Sequence, residues 1–198
     1  MACLAMHLAI AKKYLDNNPN ENEEAFVKGA YLPDVADDKI LSHYGIRMPI
    51  KRVKDMLDSK VDIVECAKST NLKDDLSKAV FLHLTTDYLF YNFVYTPSLE
   101  SKSPEQIKNM MYQDYDFVTN HVIKNYNIVV PQEVSHIVKS KEGNIDSMFF
   151  NTQQIDRFVE LTSKLNLKNC KKQIMENCNA FLNNFLEKMG KTCSKNCK

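Results

Sequence analysis

The chain contains 198 residues with a net charge of +1 at pH 7, and 44% of its residues are hydrophobic. This apolar content is sufficient for a packed core, so the composition excludes a wholly disordered chain. The nearly balanced charge favours neither a nucleic acid nor a membrane surface as a partner. No run of about 18 consecutive apolar residues is present, which argues against a membrane-spanning helix.

The first eleven residues, MACLAMHLAIA, are apolar but resemble an export signal only superficially. They lack a basic amino-terminal region, contain His7 and run directly into Lys12 and Lys13. We therefore expect a cytoplasmic protein. In a reducing compartment its six cysteines would be thiols and not disulfides.

The distribution of glycine and proline predicts an all-α fold. Only four glycines and six prolines occur, and the ranges 50–96 and 144–189 contain neither. Apolar side chains recur at helical spacing, as in Met111, Tyr115 and Val118. No alternating pattern flanks an Asn-Gly or Asp-Gly turn, so no β-hairpin is predicted.

The predicted helices, in chain order, cover residues 3–17, 21–31, a segment that begins at Pro49, 72–95, 104–126, 152–166 and 170–189. The second helix is expected to end before Pro33, because proline disfavours the helical conformation of the residue that precedes it. The irregular stretch that follows contains Asp34 and His43. We predict a single multi-helix domain over residues 1–190 and a tail rich in lysine and cysteine over 191–198.

The most informative polar pair is His83 and Asp87, four positions apart in a predicted helix. This spacing places both on one helix face, with Cβ atoms about 5–6 Å apart, close enough to bind one cation. They continue the apolar line of Ala79, and an unpaired charge on a buried face is costly. The pair therefore predicts either a metal site or a His–Asp hydrogen bond inside a packed core.

Three further residues are candidates that are ambiguous when taken one at a time. His7 lies on the apolar face of the first predicted helix, where a histidine is often a buried core residue. Asp34 follows the rigid Pro33 and could be an ordinary loop residue. His43 lies in irregular chain, where scaffolds often present functional side chains.

In their order these residues resemble the zinc-dependent phospholipase C and single-strand nuclease superfamily, and most of all its small bacterial phospholipase C-like members. The resemblance spans roughly residues 5–126. The matching elements are His7 on the first helix, Gly29-x-x-x-Pro33-Asp34, His43, and His83-x-x-x-Asp87 on a long helix. The resemblance implies the all-α fold of that superfamily, bound zinc and the hydrolysis of phosphate esters or diesters.

The resemblance also implies a role for each residue. Asp34 would bridge metal ions and help to position or deprotonate the attacking water, which makes it the predicted catalytic residue. His7, His43, His83 and Asp87 would be terminal metal ligands. Imidazole and carboxylate groups suit Zn²⁺ in a hydrolytic site, and metal-activated water makes a side-chain nucleophile unnecessary.

The chain departs from the superfamily pattern in three ways. Phe93 stands where the larger enzymes have a histidine, and the later His-x-x-x-Glu pair is missing. Asp114 and His121 are the nearest substitutes: they could reach an inward metal site or merely flank a core stripe. The larger enzymes also use their processed amino terminus as a ligand, and nothing in the sequence suggests this for Met1 or Ala2. We therefore expect one or two Zn²⁺ ions.

Two functions of different class follow from the sequence. The first is a metal-dependent phosphoesterase that hydrolyses a phosphodiester, of a phospholipid or a related compound, by metal-activated water. Its partner would be the phosphate-ester substrate, with nucleic acid a less favoured choice. The alternative is a non-catalytic helical protein that keeps a structural metal or a His–Asp polar core and acts as a binding module. His136, which follows Pro131 in the segment Val-Ser-His-Ile-Val, is predicted to be structural.

Overall fold

The computed structural model describes residues 2–44, 61–95, 104–143, 145–147 and 149–190, and within these ranges the chain is all-helical and contains no strand. The all-α prediction is therefore confirmed. The helices are α1 (Leu4–Asn17), α2 (Glu23–Val35), α3 (Lys39–Ser42), α4 (Ile63–Ser69), α5 (Asp75–Phe90), α6 (Pro104–Tyr126), α7 (Thr152–Ser163) and α8 (Leu167–Lys188). A π-helical turn, Tyr91–Tyr95, extends α5, and a 3₁₀ turn covers Gln132–Val134.

Some sequence predictions fall on other parts of the chain. The helix predicted to begin at Pro49 and the tail over 191–198 lie outside the described residues. The short helix α4 was not predicted as a separate element. Within the described ranges, no helix combines the length and the apolar character needed to cross a membrane.

Asparagine and aspartate side chains mark where most of the helices begin. Their oxygens accept a backbone N–H from three residues further on, which satisfies one of the amide groups left unpaired at a helix start. The capping residues are Asn22, Asp38, Asp62, Asp74, Asn151 and Asn166. At α7 the cap is reciprocal, because the Gln154 side chain also accepts the backbone N–H of Asn151.

Helix α1 is the central element of the core. It contacts α2, α5, α6 and α7, and eight of its residues from Leu4 to Ala11 are buried in an unbroken run. A helix that is enclosed on all sides is normally apolar on all sides. His7 is the polar exception within that run, so it needs a polar partner inside the protein.

Helices α2 and α5 pack closely because of a glycine. A Cβ atom at Gly29 would lie 2.5 Å from the Leu76 carbonyl oxygen and 2.7 Å from the Ala79 Cβ atom. No side chain fits in that space, so only glycine allows this approach. The contact brings the last turn of α2, which contains Asp34, against the face of α5 that contains His83 and Asp87.

The end of α2 differs from the prediction. Pro33 lies inside the helix, and Asp34 belongs to its last turn instead of the following loop. The fixed φ of proline is itself compatible with a helix, and its main cost is the lost N–H and the crowding of the preceding turn. Here the packing of α2 on α5 outweighs that cost.

Candidate metal centre

Five side chains that the sequence predicted as metal ligands converge at one place between α1, α2, α3 and α5. They are His7, Asp34, His43, His83 and Asp87. Their possible ligand atoms form two groups of three, within which all atoms lie within 4.8 Å of one another. The first group is His7, His83 and Asp87, and the second is Asp34, His43 and His83. His83 therefore belongs to both.

The distances between these atoms suit a shared cation. The Nε2 atom of His43 lies 3.3 Å from that of His83, and each lies 3.5 Å from Asp87 Oδ2. His43 Nε2 is also 3.5 Å from Asp34 Oδ1, and His7 Nε2 is 3.2 Å from Asp87 Oδ1. Ligands about 2.0–2.2 Å from a tetrahedral zinc ion would lie about 3.3–3.6 Å from one another.

Backbone carbonyl groups orient two of the imidazole rings. His83 Nδ1 lies 2.7 Å from the Ala30 carbonyl oxygen, and His43 Nδ1 lies 2.8 Å from that of Lys39. A carbonyl oxygen can only accept, so each Nδ1 donates its proton. In a neutral ring the lone pair then belongs to Nε2, which faces the cluster. This is the arrangement typical of histidines that bind metal.

The cluster leaves buried polar atoms without hydrogen bonds. Two neutral rings oriented in this way direct two lone pairs at each other across 3.3 Å, which is repulsive unless a proton or a cation lies between them. Asp87 Oδ2 and both ring nitrogens of His7 are buried and have no hydrogen-bond partner. The contact of 3.2 Å between His7 Nε2 and Asp87 Oδ1 lacks hydrogen-bond geometry. Each such atom costs about 1–3 kcal/mol, which a bound cation would offset.

The ring of His7 is positioned by stacking. It lies parallel to the ring of His83, with 3.7 Å between ring centroids and 14° between ring planes. Burial lowers the pKa of His7, and the neighbouring His83 lowers it further. His7 is therefore held as a neutral imidazole, the form that binds metal.

Two carboxylates supply negative charge to this buried site. Burial alone would raise the pKa of Asp87, but His7 and His83 outweigh burial and hold it well below the usual range. Burial also opposes ionisation of Asp34, whose pKa is nevertheless lowered by His43, with its Nε2 3.5 Å from Asp34 Oδ1, and by the nearby His83 and His7. Burial lowers the pKa of His83, but the carboxylates of Asp87, 3.5 Å from its Nε2, and of Asp34 reverse the shift, so the net direction is upward. The carboxylates thus attract either a proton on His83 or a metal ion.

One contact to the cluster was not predicted. The backbone N–H of Ala2 donates a hydrogen bond of 2.6 Å to Asp87 Oδ1 and is buried. The sequence contains no signal for this contact, since every residue except proline has the same N–H group. It places the start of the described chain directly against the carboxylate of α5.

The two substitutes considered for the missing ligands lie elsewhere. Asp114 is buried, and its carboxylate accepts hydrogen bonds from Ser147 Oγ at 2.9 Å and the Phe149 N–H at 3.0 Å. His121 Nε2 lies 2.7 Å from Asp156 Oδ1 on α7. Neither belongs to the two ligand groups found among the described residues. These side chains of α6 contact α7 and the segment that precedes it, so the structure does not bring them to the cluster.

Phe93, which stands where larger enzymes of the resembled superfamily have a histidine, is part of the hydrophobic core. Phe93 is buried, and its ring lies 6.2–6.3 Å from the rings of Phe150 and Phe158. This position therefore contributes to the packing of the core.

The cluster approaches solvent through Asp34. His7, His43, His83 and Asp87 are at most 2% exposed, whereas the Asp34 side chain is 14% exposed. Asp34 also lines a cleft of about 640 Å³ between the start of α1, α6 and the segment after the 3₁₀ turn. A substrate of this cluster would therefore approach from the side of Asp34.

No protein-family model, curated protein or solved structure matches the chain. Similarity thus shows no family for it, and a function has to be inferred from the geometry of the cluster and of the cleft beside it.

Proposed function

We propose that the cluster binds one or two Zn²⁺ ions and that the protein is a metal-dependent phosphoesterase, which hydrolyses a phosphodiester of a phospholipid or a related compound. The observation that supports this most strongly is the pair of Nε2 atoms of His43 and His83, 3.3 Å apart beside two carboxylates. Without a cation this arrangement leaves buried polar atoms unsatisfied.

The donor set fits zinc. Three imidazole nitrogens and two carboxylates are ligands that zinc accepts, and a group of three protein ligands leaves one coordination position open, as in catalytic zinc sites. His83 Nδ1 already donates to Ala30, so only one lone pair of His83 is available. His83 can therefore bind an ion in only one of the two groups at a time. A second ion would need a carboxylate that the two groups share.

Zinc bound in a hydrolytic site supplies a Lewis acid that polarises the phosphoryl group and acidifies water. Asp34 is the cluster residue that meets the cleft, and its carboxylate is ionised because its pKa is lowered. It is therefore able to accept a hydrogen bond from the attacking water and hold that water in line with the phosphorus atom. Asp87, enclosed by His7, His83 and the Ala2 amide, serves to fix the rings.

Metal analysis combined with an assay of hydrolysis tests this proposal. Full-length protein purified without added zinc is expected to contain one or two equivalents of metal and to hydrolyse bis(p-nitrophenyl) phosphate. His83→Gln should lose both properties, and Asp34→Asn should lose hydrolysis. His121→Gln is the matched control, because this histidine is paired with Asp156 away from the cluster. Protein without metal, or hydrolysis that survives in His83→Gln, would contradict the proposal.

The burial of the cluster favours a second candidate. Four of the five side chains are almost fully enclosed, which also suits a structural metal or a His–Asp polar core in a non-catalytic binding protein. Stoichiometric metal without hydrolysis of any phosphodiester, together with unfolding on chelation, would select this alternative. Metal-free protein that is fully stable would select the polar core, with a proton on His83 in place of the cation.

A further inference from the structure

The cleft beside Asp34 has a basic part that is not paired internally. Lys39, Lys139 and Lys141 all line it, and Lys141 is paired with Asp116 at 2.6 Å. In the described ranges Lys39 and Lys139 form no ion pair. Two lysine charges are thus available to an anion that enters the cleft next to Asp34.

The same cleft has an aromatic and aliphatic wall. Tyr112 is 46% exposed, and its ring meets that of Tyr115 edge-on, with 6.2 Å between centroids. Ile137, on the facing segment, is 50% exposed. Large apolar side chains in a concave site usually contact the apolar part of a ligand. The volume of about 640 Å³ is within the range of small-molecule sites.

We propose that this cleft is the substrate site and that it selects a phosphate ester with an aromatic or similarly flat apolar group. Lys39 and Lys139 bind the phosphate oxygens, and Tyr112, backed by Tyr115, packs against the esterified group together with Ile137. The inference rests on the proposed function, since Asp34 joins the cleft to the metal cluster. It narrows that function from phospholipids and related compounds to esters with a flat apolar group, and it names the residues that bind the substrate.

Calorimetric binding of phosphonates to the full-length protein tests the cleft without any need for turnover. Phenylphosphonate carries both the anion and the ring, methylphosphonate carries only the anion, and phenol carries only the ring. We expect phenylphosphonate to bind about fivefold or more tightly than methylphosphonate, as one aromatic contact provides. Phenol should bind weakly. Equal affinities for the two phosphonates would overturn the aromatic part of the proposal.

Substitutions assign the contacts. Lys39→Gln and Lys139→Gln should each weaken the binding of both phosphonates at least about threefold, the scale of one exposed ion pair. Tyr112→Ala should abolish only the preference for the phenyl group. The matched control is Lys168→Gln, which lines a different cleft near Tyr14 and should bind like the wild type. Binding that falls in His83→Gln but not in either cleft-lysine variant would mean capture by metal alone and would overturn the proposal.

Two further measurements distinguish failure of the cleft assignment from failure of the proposed function, and a free phosphate ester from a phospholipid as the ligand. Specific phosphonate binding with no hydrolysis of any aryl phosphodiester would keep the cleft assignment and contradict the phosphoesterase. If the lysine and tyrosine variants hydrolyse the phosphodiester with the KM of the wild type, the phosphoesterase is kept and the cleft assignment is contradicted. Vesicles of phosphatidylcholine with phosphatidic acid present the same phosphate on a membrane: binding to them that phenylphosphonate fails to displace would overturn the aromatic-ester assignment.

Discussion

The three histidines of the cluster reach their positions by different means. His43 and His83 are oriented by backbone carbonyl groups, whereas His7 is oriented by stacking on His83. Because His83 belongs to both groups of possible ligands and also supports the ring of His7, it is the residue on which the whole cluster depends. His7, by contrast, belongs to only one group.

This difference predicts unequal effects of two substitutions. His83→Gln should weaken zinc binding at both groups by at least about tenfold, because even indirect changes at metal sites have that effect. His7→Ala should leave the group of Asp34, His43 and His83 able to bind one ion. Zinc titration of each variant, followed by plasma mass spectrometry, measures the bound metal per chain. Equal losses in the two variants would show that the groups are not separable.

The buried thiols provide a prediction for pH. Burial raises the pKa of Cys3 and of Cys66 to about 11 and that of Cys170 to about 12. The folded state therefore retains these protons while the unfolded chain releases them from about pH 8.5 upward. The free energy of unfolding should fall by up to about 1.4 kcal/mol per pH unit per thiol between pH 9 and 11, and the thiols should contribute no slope below pH 8. Urea titrations across this range measure the slope, and stability that rises with pH would contradict the sign.

At the scale of elements, the position of the site depends on the contact between α2 and α5. Gly29 permits the close approach, Ala30 provides the carbonyl group that orients His83, and Asp34 closes the cluster from the last turn. The segment from Gly29 to Asp34 thus packs α2 on α5, orients His83 and contributes a carboxylate to the cluster, all within two helical turns. This explains physically why its glycine and its aspartate occur together.

Gly29→Ala should disturb both stability and metal binding. A methyl group 2.5 Å from the Leu76 carbonyl oxygen forces the helices apart, at a cost of about 1–3 kcal/mol. The shift also moves the Ala30 carbonyl away from His83, so zinc affinity should fall. Lys28→Ala, on the exposed face of the same helix, is the control. Chemical denaturation and zinc titration measure the two effects. A Gly29→Ala protein that matches the control in both would contradict the role given to this contact.

Helical periodicity predicted the elements and the buried faces but not their partners. The stripe on α5 correctly placed His83 and Asp87 inside the protein. The same reasoning placed Asp114 and His121 beside a core stripe, and Asp114 is indeed buried, yet Asp114 contacts the segment before α7 and His121 contacts α7 itself. A period identifies which residues face inward, whereas the neighbour of that face depends on tertiary contacts that are distant in the sequence. The end of α2 at Pro33 was mispredicted for a related reason, since packing outweighed a local preference.

At the scale of the molecule, the cluster connects elements that are far apart in the chain. Its side chains come from α1, α2, the end of α3 and α5, and the Ala2 amide joins Asp87 across 85 positions of sequence. A cation bound there would therefore stabilise the tertiary fold as well as supply chemistry. The order of the His and Asp motifs along the sequence predicted this convergence. The hydrogen bond from Ala2 and the cleft beside Asp34 became visible only in the folded chain.

Removal of metal should therefore reduce global stability. If zinc is present at about 100 times its dissociation constant, chelation should lower the free energy of unfolding by about 2.7 kcal/mol. Thermal unfolding with EDTA, and again with zinc restored, measures this change, and His121→Gln should respond like the wild type. A melting temperature that is the same with EDTA and with zinc would show that no metal supports the fold.

Anomalous diffraction at the zinc edge, from crystals of the full-length protein grown with zinc, tests most directly whether the cluster binds metal. We expect a peak about 2.0–2.2 Å from His83 Nε2 and from an oxygen of Asp87 or Asp34, with Asp34 facing the cleft. An empty cluster, with His43 and His83 sharing a proton and zinc bound only elsewhere in the chain, would contradict this expectation.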